Sequence, residues 1–399
     1  MIDWVDRLLQ ADVQQFLAEH KDDNLAKLAL SLKTPEGFPT QEALLQIELR
    51  RKAALKLPEW YAHTSIVYPS KLCLEQCSSI HTAQYKQHII SGSHLIDLTG
   101  GLGVDTYYLS EKFDSTDYVE QDPRLVEAAR HNFSQLGSSE INCHHTTAEE
   151  FLNTISGKVD YFYIDPARRA GGRKTYFLED TFPNITALHP ILLGMAKGYL
   201  LKASPMLDIK QGLKRLSHVK EVHVLSVDNE CKEVLFHITS TAKDSPKIIA
   251  ANCDKGNWEQ FEFTYEIEAA LDVTITEPLQ YIYEPNSAII KAGAFKSIPQ
   301  KYELSKLHSN THLYTSNERL PSFPGRVFLL NKVVKADKKS IGRAINNSQA
   351  NLASRNFPVS VAELKKKWSI RDGGDQYLFA TTLVDNRKAV LVCEKLSQE

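Results

Sequence analysis

Three groups of residues along the chain have the types and spacing to do chemistry. The first is His94-Leu95-Ile96-Asp97-Leu98-Thr99-Gly100-Gly101-Leu102-Gly103-Val104-Asp105, an apolar run that enters a glycine-rich turn. Glycines let backbone N–H groups approach a ligand closely, because no side chain intervenes and unusual φ is tolerated. A helix starting after the turn adds a site for negative charge. About twenty residues later, Tyr118-Val119-Glu120 ends a second apolar run with an acid, placed to accept hydrogen bonds from ribose hydroxyls. The second group is Tyr163-Ile164-Asp165-Pro166-Ala167-Arg168-Arg169-Ala170-Gly171-Gly172-Arg173-Lys174. Here a carboxylate able to orient an acceptor precedes Arg168, Arg169, Arg173 and Lys174, which suit phosphates or a nucleotide edge. The third is Lys202 in Leu201-Lys202-Ala203-Ser204-Pro205, with Glu233 in Cys231-Lys232-Glu233. A lysine whose pKa is lowered by burial and neighbouring cations can remove a hydroxyl proton.

The elements that must position these groups can be read from periodicity. Residues 1–90 carry apolar side chains at helical spacing, Leu8, Leu9, Val13, Phe16 and Leu17 among them, and Pro58 closes a long run over 43–55. This segment reads as a helical cap packed on the next domain. From about 93, short apolar runs at 94–98, 118–120, 141–143, 161–164 and 199–201 alternate with helical patterns at 123–136 and 183–197. That alternation predicts an open, mostly parallel sheet covered on both faces. The runs 221–227 and 234–238 are too close for a crossover helix, so an antiparallel pair at the sheet edge is expected, continued by strands at 247–251 and 261–265. A small mixed module at 281–326 and an α/β module at 327–399 complete the chain. The fold class is α/β, with a helical N-terminal domain over 1–90 and the sheet domain over 91–280.

Bulk composition excludes several classes. A net charge of −2 over 399 residues does not mark the whole chain as a nucleic-acid binder, so that signal must be local. Between 332 and 371 it is: Lys332, Lys335, Lys338, Lys339, Arg343, Arg355, Lys365, Lys366, Lys367 and Arg371 face only Asp337 and Glu363. Ten cations against two acids is the footprint of a phosphate backbone. No basic start leads into an apolar run, and no stretch reaches the roughly 18 apolar residues of a membrane span. The six cysteines at 73, 77, 143, 231, 253 and 393 read as buried reduced thiols rather than a metal site, since Cys73 and Cys77 lack a second close pair. The expectation is a cytoplasmic protein with no metal and no membrane partner.

Two cofactor classes share the glycine-turn geometry. A nicotinamide or flavin site wants GxGxxG, but Thr106 stands where the third glycine belongs. Asp97 ahead of the glycines instead resembles the first motif of class I methyltransferases that use S-adenosylmethionine (SAM). By that resemblance Asp97, Thr99, Gly100, Gly101 and Gly103 line the methionine part, and Glu120 with Gln121 holds the ribose. The end of the third strand near Ala148 then flanks the adenine, and Asp165 faces the cofactor. The Asp165-Pro166-Ala167-Arg168 loop resembles the D/N-P-P-x loop of nucleic-acid methyltransferases, with Ala167 where a second proline is usual. Uracil-C5 methyltransferases carry a similar loop and a nucleophilic cysteine after the fifth strand, and no thiol stands at 201–205. RNA ribose 2′-O-methyltransferases use a lysine–aspartate–lysine–glutamate set. Asp165, Lys202 and Glu233 match three of its positions, with Lys71 or Lys86 for the first lysine. Direct transfer to a base nitrogen, with Asp165 orienting the acceptor, is the competing mechanism.

Taken with Glu75-Gln76-Cys77-Ser78-Ser79, Val227-Asp228-Asn229-Glu230-Cys231-Lys232-Glu233, Lys291-Ala292-Gly293-Ala294-Phe295 and Arg371-Asp372-Gly373-Gly374-Asp375, these strings are similar to a bacterial family of class I methyltransferases with a THUMP-like C-terminal domain. The resemblance spans about 75–395. It implies a Rossmann-like sheet, a ferredoxin-like module over 281–326 and a THUMP-like module over 327–399. It also implies SAM as cofactor and RNA, tRNA or rRNA, as substrate. Asp165, Lys202 and Glu233 are then the catalytic candidates. Pro166, Arg168, Arg169, Arg173, Lys174, Lys338, Lys339, Lys365 and Lys366 are the substrate contacts. Two alternatives stay open: a methyltransferase of protein or small molecules, which predicts that deleting 327–399 spares activity, and a non-catalytic RNA-binding protein, which predicts no SAM binding.

Overall fold

The computed structural model describes residues 4–32, 34–168, 177–243 and 245–397. The chain falls into two compact units, Met1–Lys220 with Val234–Asp244, and Glu221–Glu233 with Ser245–Glu399.

The first unit opens with helices, the longest being Thr40–Lys56, after which Pro58 begins a new short helix at its first turn. Ser70 and Ser79 cap the helices Lys71–Gln76 and Ile80–Lys86 through their side-chain oxygens. These helices are not a free-standing domain. Leu49, Ala53, Trp60, Leu74 and Ala83 share one core with Leu102, Val104, Tyr118, Val126 and Phe133 of the sheet region.

Strands and helices then alternate: β1 Gly92–Asp97, β2 Phe113–Glu120, β3 Asn142–His145, β4 Val159–Ile164 and β5 Ala196–Ala203. The longer intervening helices, Pro123–Gln135 and Ile185–Met195, are capped by Asp122 and Asn184. Next come β6 Val219–Val227 and β7 Glu230–Thr239. Within this unit the spatial order is β7-β5-β4-β1-β2-β3. β3, β2, β1, β4 and β5 run parallel, and residues 234–239 of β7 lie antiparallel to β5. The chain runs outward from β1 to β3, then returns to β4 on the other side of β1. That reversal leaves a crevice at the carboxyl ends of β1 and β4, where open α/β sheets bind ligands.

In the second unit, the strands expected at 247–251 and 261–265 continue the sheet beyond β6. Lys247–Asp254 (β8) lies parallel to it, and Asn257–Phe263 (β9) pairs antiparallel with β8. Residues 222–226 of β6 are all buried, as expected of a strand covered on both faces. The rest of the unit is a seven-stranded sheet built from β10 Tyr281–Pro285, β11 Ser305–His308, β12 Thr311–Ser316, β13 Gly325–Lys335, β14 Asn351–Arg355, β15 Gln376–Thr382 and β16 Lys388–Lys395. Its order is β11-β12-β10-β13-β16-β15-β14, so residues 281–316 and 325–395 share one sheet. Ile282, Leu313, Phe328, Phe379 and Leu391 sit in one core, and the boundary expected at 326/327 falls inside β13. No helix among the described residues is long and apolar enough to cross a membrane.

Candidate active site

The glycine turn leaves β1 at the crevice and is braced from below. Asp97 is buried, with one oxygen accepting the Thr99 N–H at 2.9 Å and the other accepting the Thr106 hydroxyl at 2.6 Å. Burial pushes its carboxyl up to about 7, against the pull of those two hydrogen bonds. Gly100 N–H donates to Val119 O at 2.9 Å, and Gly101 and Gly103 adopt φ of +56° and +85°. At φ values of that kind L side chains are strained, which is why the turn is built from glycine.

A raised folded-state pKa gives Asp97 a defined effect on stability. Its protonated form is preferred on folding, so its contribution is complete below pH 4 and is lost as pH rises through about 7, on the order of 4 kcal/mol in all. Asp105 works in the opposite sense and in a lower window. Its carboxyl is held below the usual range, so its contribution fades only as pH falls below about 4. Asp97→Asn keeps an oxygen for the Thr99 N–H and is permanently neutral. Its melting temperature should therefore gain on the wild type by several degrees between pH 5 and pH 8. A gap that stays constant across that range, measured calorimetrically, would remove the buried-carboxyl account.

Glu120 ends β2 half-buried beside the turn. Its two oxygens accept the Gly101 and Asp122 N–H groups at 3.0 and 2.9 Å. Each oxygen keeps a lone pair in reserve, so the carboxylate can still accept hydroxyl donors. Tyr118 ties the same turn down by donating its hydroxyl to Gly101 O at 2.6 Å. Gln121 is exposed, and Ala148 is the buried first residue of the helix Ala148–Leu152, capped by Thr147 and Glu150.

Across the crevice, Asp165 follows β4. Its backbone N–H donates to the Thr99 hydroxyl at 2.6 Å, which fastens the end of β4 to the glycine turn. Its carboxylate, 36% exposed, meets Lys202 Nζ at 2.6 Å. Lys202 ends β5 and lies 3.5 Å from Asp105, which in turn lies 3.0 Å from Lys86. Of the two lysines considered for the first position, Lys86 is fully buried and joins this group. Lys71 is exposed and pairs with Glu48 at 3.1 Å. Glu233 belongs to the second unit, where it is buried. Pro166 follows Asp165 directly, and Ala167–Arg168 pairs antiparallel with Thr181–Phe182. Arg169, Arg173 and Lys174 lie outside the described residues, as does the side chain of Arg168.

All six cysteines are free. Burial pushes the thiols of Cys143 and Cys231 up to about 11, so neither is poised as a thiolate nucleophile. No group of three or more His, Cys, Asp or Glu among the described residues is placed to hold a metal ion.

The basic C-terminal stretch divides into cations paired with carboxylates and cations that are exposed. Arg355 Nε donates to buried Glu284 at 2.9 Å, a carboxylate it shares with Arg326, and Lys365 pairs with Asp372 at 2.5 Å. Lys332, Lys335, Lys338, Lys339, Arg343, Lys366, Lys367 and Arg371 are exposed. Lys338 also donates to the Ser369 hydroxyl at 2.8 Å.

Comparison with known proteins places these features in context. A ferredoxin-like domain profile matches residues 281–324, and a THUMP domain-like profile matches residues 325–395. The crystal structure of a candidate methyltransferase from Porphyromonas gingivalis W83 matches with a TM-score of 0.87 and 33% sequence identity, over 100% of both chains. An uncharacterized S-adenosylmethionine-dependent methyltransferase of Mycobacterium tuberculosis is 25% identical over 276 residues, 68% of this chain and 73% of that protein.

Proposed function

This chain belongs to the family of SAM-dependent methyltransferases that carry a THUMP-like C-terminal domain, and we propose that its acceptor is RNA, methylated at a base nitrogen or a ribose 2′-hydroxyl. The residues present fit the cofactor. The turn at Gly100, Gly101 and Gly103 offers backbone without side chains, and the Glu120 carboxylate beside it keeps lone pairs for two ribose hydroxyls. When bound, SAM supplies an electrophilic methyl group. On this reading Asp97 and Thr99 hold the turn in shape, Gln121 and Ala148 border the nucleoside end, and Asp165 stands at the reacting end.

Asp165 has the exposure and the remaining lone pairs to accept a hydrogen bond from an acceptor N–H or O–H, and so to orient its nucleophilic lone pair. Lys202 holds that carboxylate in place. Pro166 and Arg168 follow at the mouth of the site, continued in sequence by Arg169, Arg173 and Lys174.

The observation that carries the RNA reading is the set of eight exposed cations in the THUMP-like region, against an overall charge of −2. Deleting 327–399 is a poor test of it. β13 pairs with β10, and cutting at 327 would strip that partner and open the shared sheet. Charge reversal is cleaner. Labelled methyl should pass from SAM to one class of total RNA taken from a strain lacking the gene. The variant carrying Lys338→Glu, Lys339→Glu, Lys366→Glu and Lys367→Glu should lose most of that transfer while binding SAM normally. No label in RNA, with SAM bound, would direct the search to protein or small-molecule acceptors.

Glu120→Ala is expected to weaken SAM binding by about 1–3 kcal/mol, roughly 5- to 150-fold, the cost of leaving ribose hydroxyls unpaired. Calorimetric titration checks it, and an unchanged Kd would remove the ribose assignment.

A further inference from the structure

Two charged residues beneath the site have no part in the reading above. Lys86, at the end of the helix Ile80–Lys86, has a side chain 0% exposed, and Asp105, in the first turn of the helix Val104–Ser110, is 10% exposed. Asp105 accepts the Ser78 hydroxyl at 2.8 Å and the Tyr163 hydroxyl at 2.7 Å. Lys86 Nζ donates to Ser78 Oγ at 3.0 Å and lies 3.0 Å from Asp105 Oδ1. The other oxygen of Asp105 is 3.5 Å from Lys202 Nζ, and Lys202 is 2.6 Å from Asp165. Charge thus alternates from the buried floor to the half-exposed rim in the order Lys86, Asp105, Lys202, Asp165. Burial alone would raise the Asp105 carboxyl, but Lys86 and Lys202 hold it well below the usual carboxylate range.

As a device for stability this arrangement is a poor choice. Desolvating an ion pair costs several kcal/mol, and well-packed apolar side chains of the same volume often do as well. As a device for geometry it is well suited. Lysine is a long, flexible cation, and fixing it needs a second rigid partner. Asp105 is such a partner, clamped by the Ser78 and Tyr163 hydroxyls and countered by Lys86. It also lies two residues beyond Gly103, so the glycine turn and the lysine anchor are set by one short piece of backbone.

We propose that Asp105, held by Lys86, Ser78 and Tyr163, is a positioning residue that fixes Lys202 against Asp165 and so sets the orientation of the acceptor-facing carboxylate. The inference rests on the reading of Asp165 as the group that meets the acceptor. It ties the reacting end to the cofactor turn, so that the two are aligned when the protein folds.

The test uses the full-length chain and two readouts. Reductive methylation with formaldehyde and cyanoborohydride, read by mass spectrometry, reports how freely the Lys202 amine moves and needs no RNA. In Asp105→Asn, Lys202 labelling should rise at least tenfold. Transfer from SAM to total RNA should fall ten- to hundredfold with the SAM Kd unchanged, and Asp105→Glu should recover part of it. Because Asp105→Asn alone strands a buried lysine, the double variant Lys86→Met with Asp105→Asn removes both charges and should show the same release and the same loss. Lys202 labelling unchanged in both variants, while Asp165→Asn raises it, would overturn the anchoring. Released Lys202 with an undiminished transfer rate would overturn the positioning role. If the wild type methylates no RNA, the RNA reading fails, and the labelling still decides the anchoring.

Discussion

Gly100→Ala is expected to cut SAM affinity by about 2–4 kcal/mol, roughly 30- to 1,000-fold in Kd, in a chain that still folds. A Cβ at position 100 would sit 2.1 Å from Cε2 of Tyr118 and within 2.6 Å of two further ring atoms. Real contacts never approach that closely, so something must move. The ring has little freedom to do so: Tyr118 is buried, packs edge-on against Phe133 at 5.6 Å between centroids, and donates its hydroxyl to Gly101 O. Phe133 in turn lies close against the glycine turn, where a Cβ on Gly103 would meet its Cζ at 2.6 Å. The turn must therefore lift away from β2, losing the bonds from Gly100 N–H to Val119 O and from Gly101 N–H to Glu120. On the proposed reading, the backbone face offered to SAM and the carboxylate beside it would then be displaced together. Pairing Gly100→Ala with Tyr118→Ala vacates the colliding ring and should restore part of the affinity, a coupling that a double-mutant cycle measures. Wild-type SAM affinity in the single variant would mean that the turn's close approach to β2 is irrelevant to binding.

What could be read from the sequence was what is local. The run from β1 through the glycine turn into a helix is a contiguous pattern, and φ of +56° and +85° at Gly101 and Gly103 is the conformational demand that glycine spacing announces. Strand β2 was legible only at its buried end. The sequence pointed to 118–120, whereas the strand begins at Phe113, because Asp114 and Ser115 are exposed and carry no apolar pattern. The rest was illegible because it depends on pairs far apart in the chain. Thr99 receives the Asp165 N–H across 66 positions, and Asp105 gathers Ser78 and Tyr163 from 27 and 58 positions away. Nothing in the local pattern separates Lys71 from Lys86, since both stand in short helices. Only folding sends one to the surface beside Glu48 and the other into the core beside Asp105. Counting cations had the same blind spot. Arg355 belongs to the basic run by sequence, yet it is committed to Glu284, 71 positions away.

Asp165→Ala is expected to lower methyl transfer by roughly 10²- to 10⁴-fold while leaving SAM affinity within about threefold of the wild type. The split follows from how position 165 is built. Its backbone N–H, not its side chain, makes the 2.6 Å bond to Thr99, so the fastening of β4 to the glycine turn survives truncation to alanine. Its carboxylate makes the 2.6 Å contact with Lys202, and that contact is lost. Lys202 keeps Asp105 as a counter-ion at 3.5 Å, so the change does not strand an unpaired charge and the fold should hold. On the proposed reading, only the group that orients the acceptor is then removed. Asp165→Asn, which keeps the shape and one acceptor oxygen, should lie between the two. Calorimetric SAM titration beside labelled-methyl transfer to RNA resolves the outcomes. Transfer within tenfold of the wild type would take Asp165 out of the reacting end. A collapse of SAM affinity instead would move its carboxylate to the cofactor side of the crevice, and the acceptor would then have to be oriented by another group.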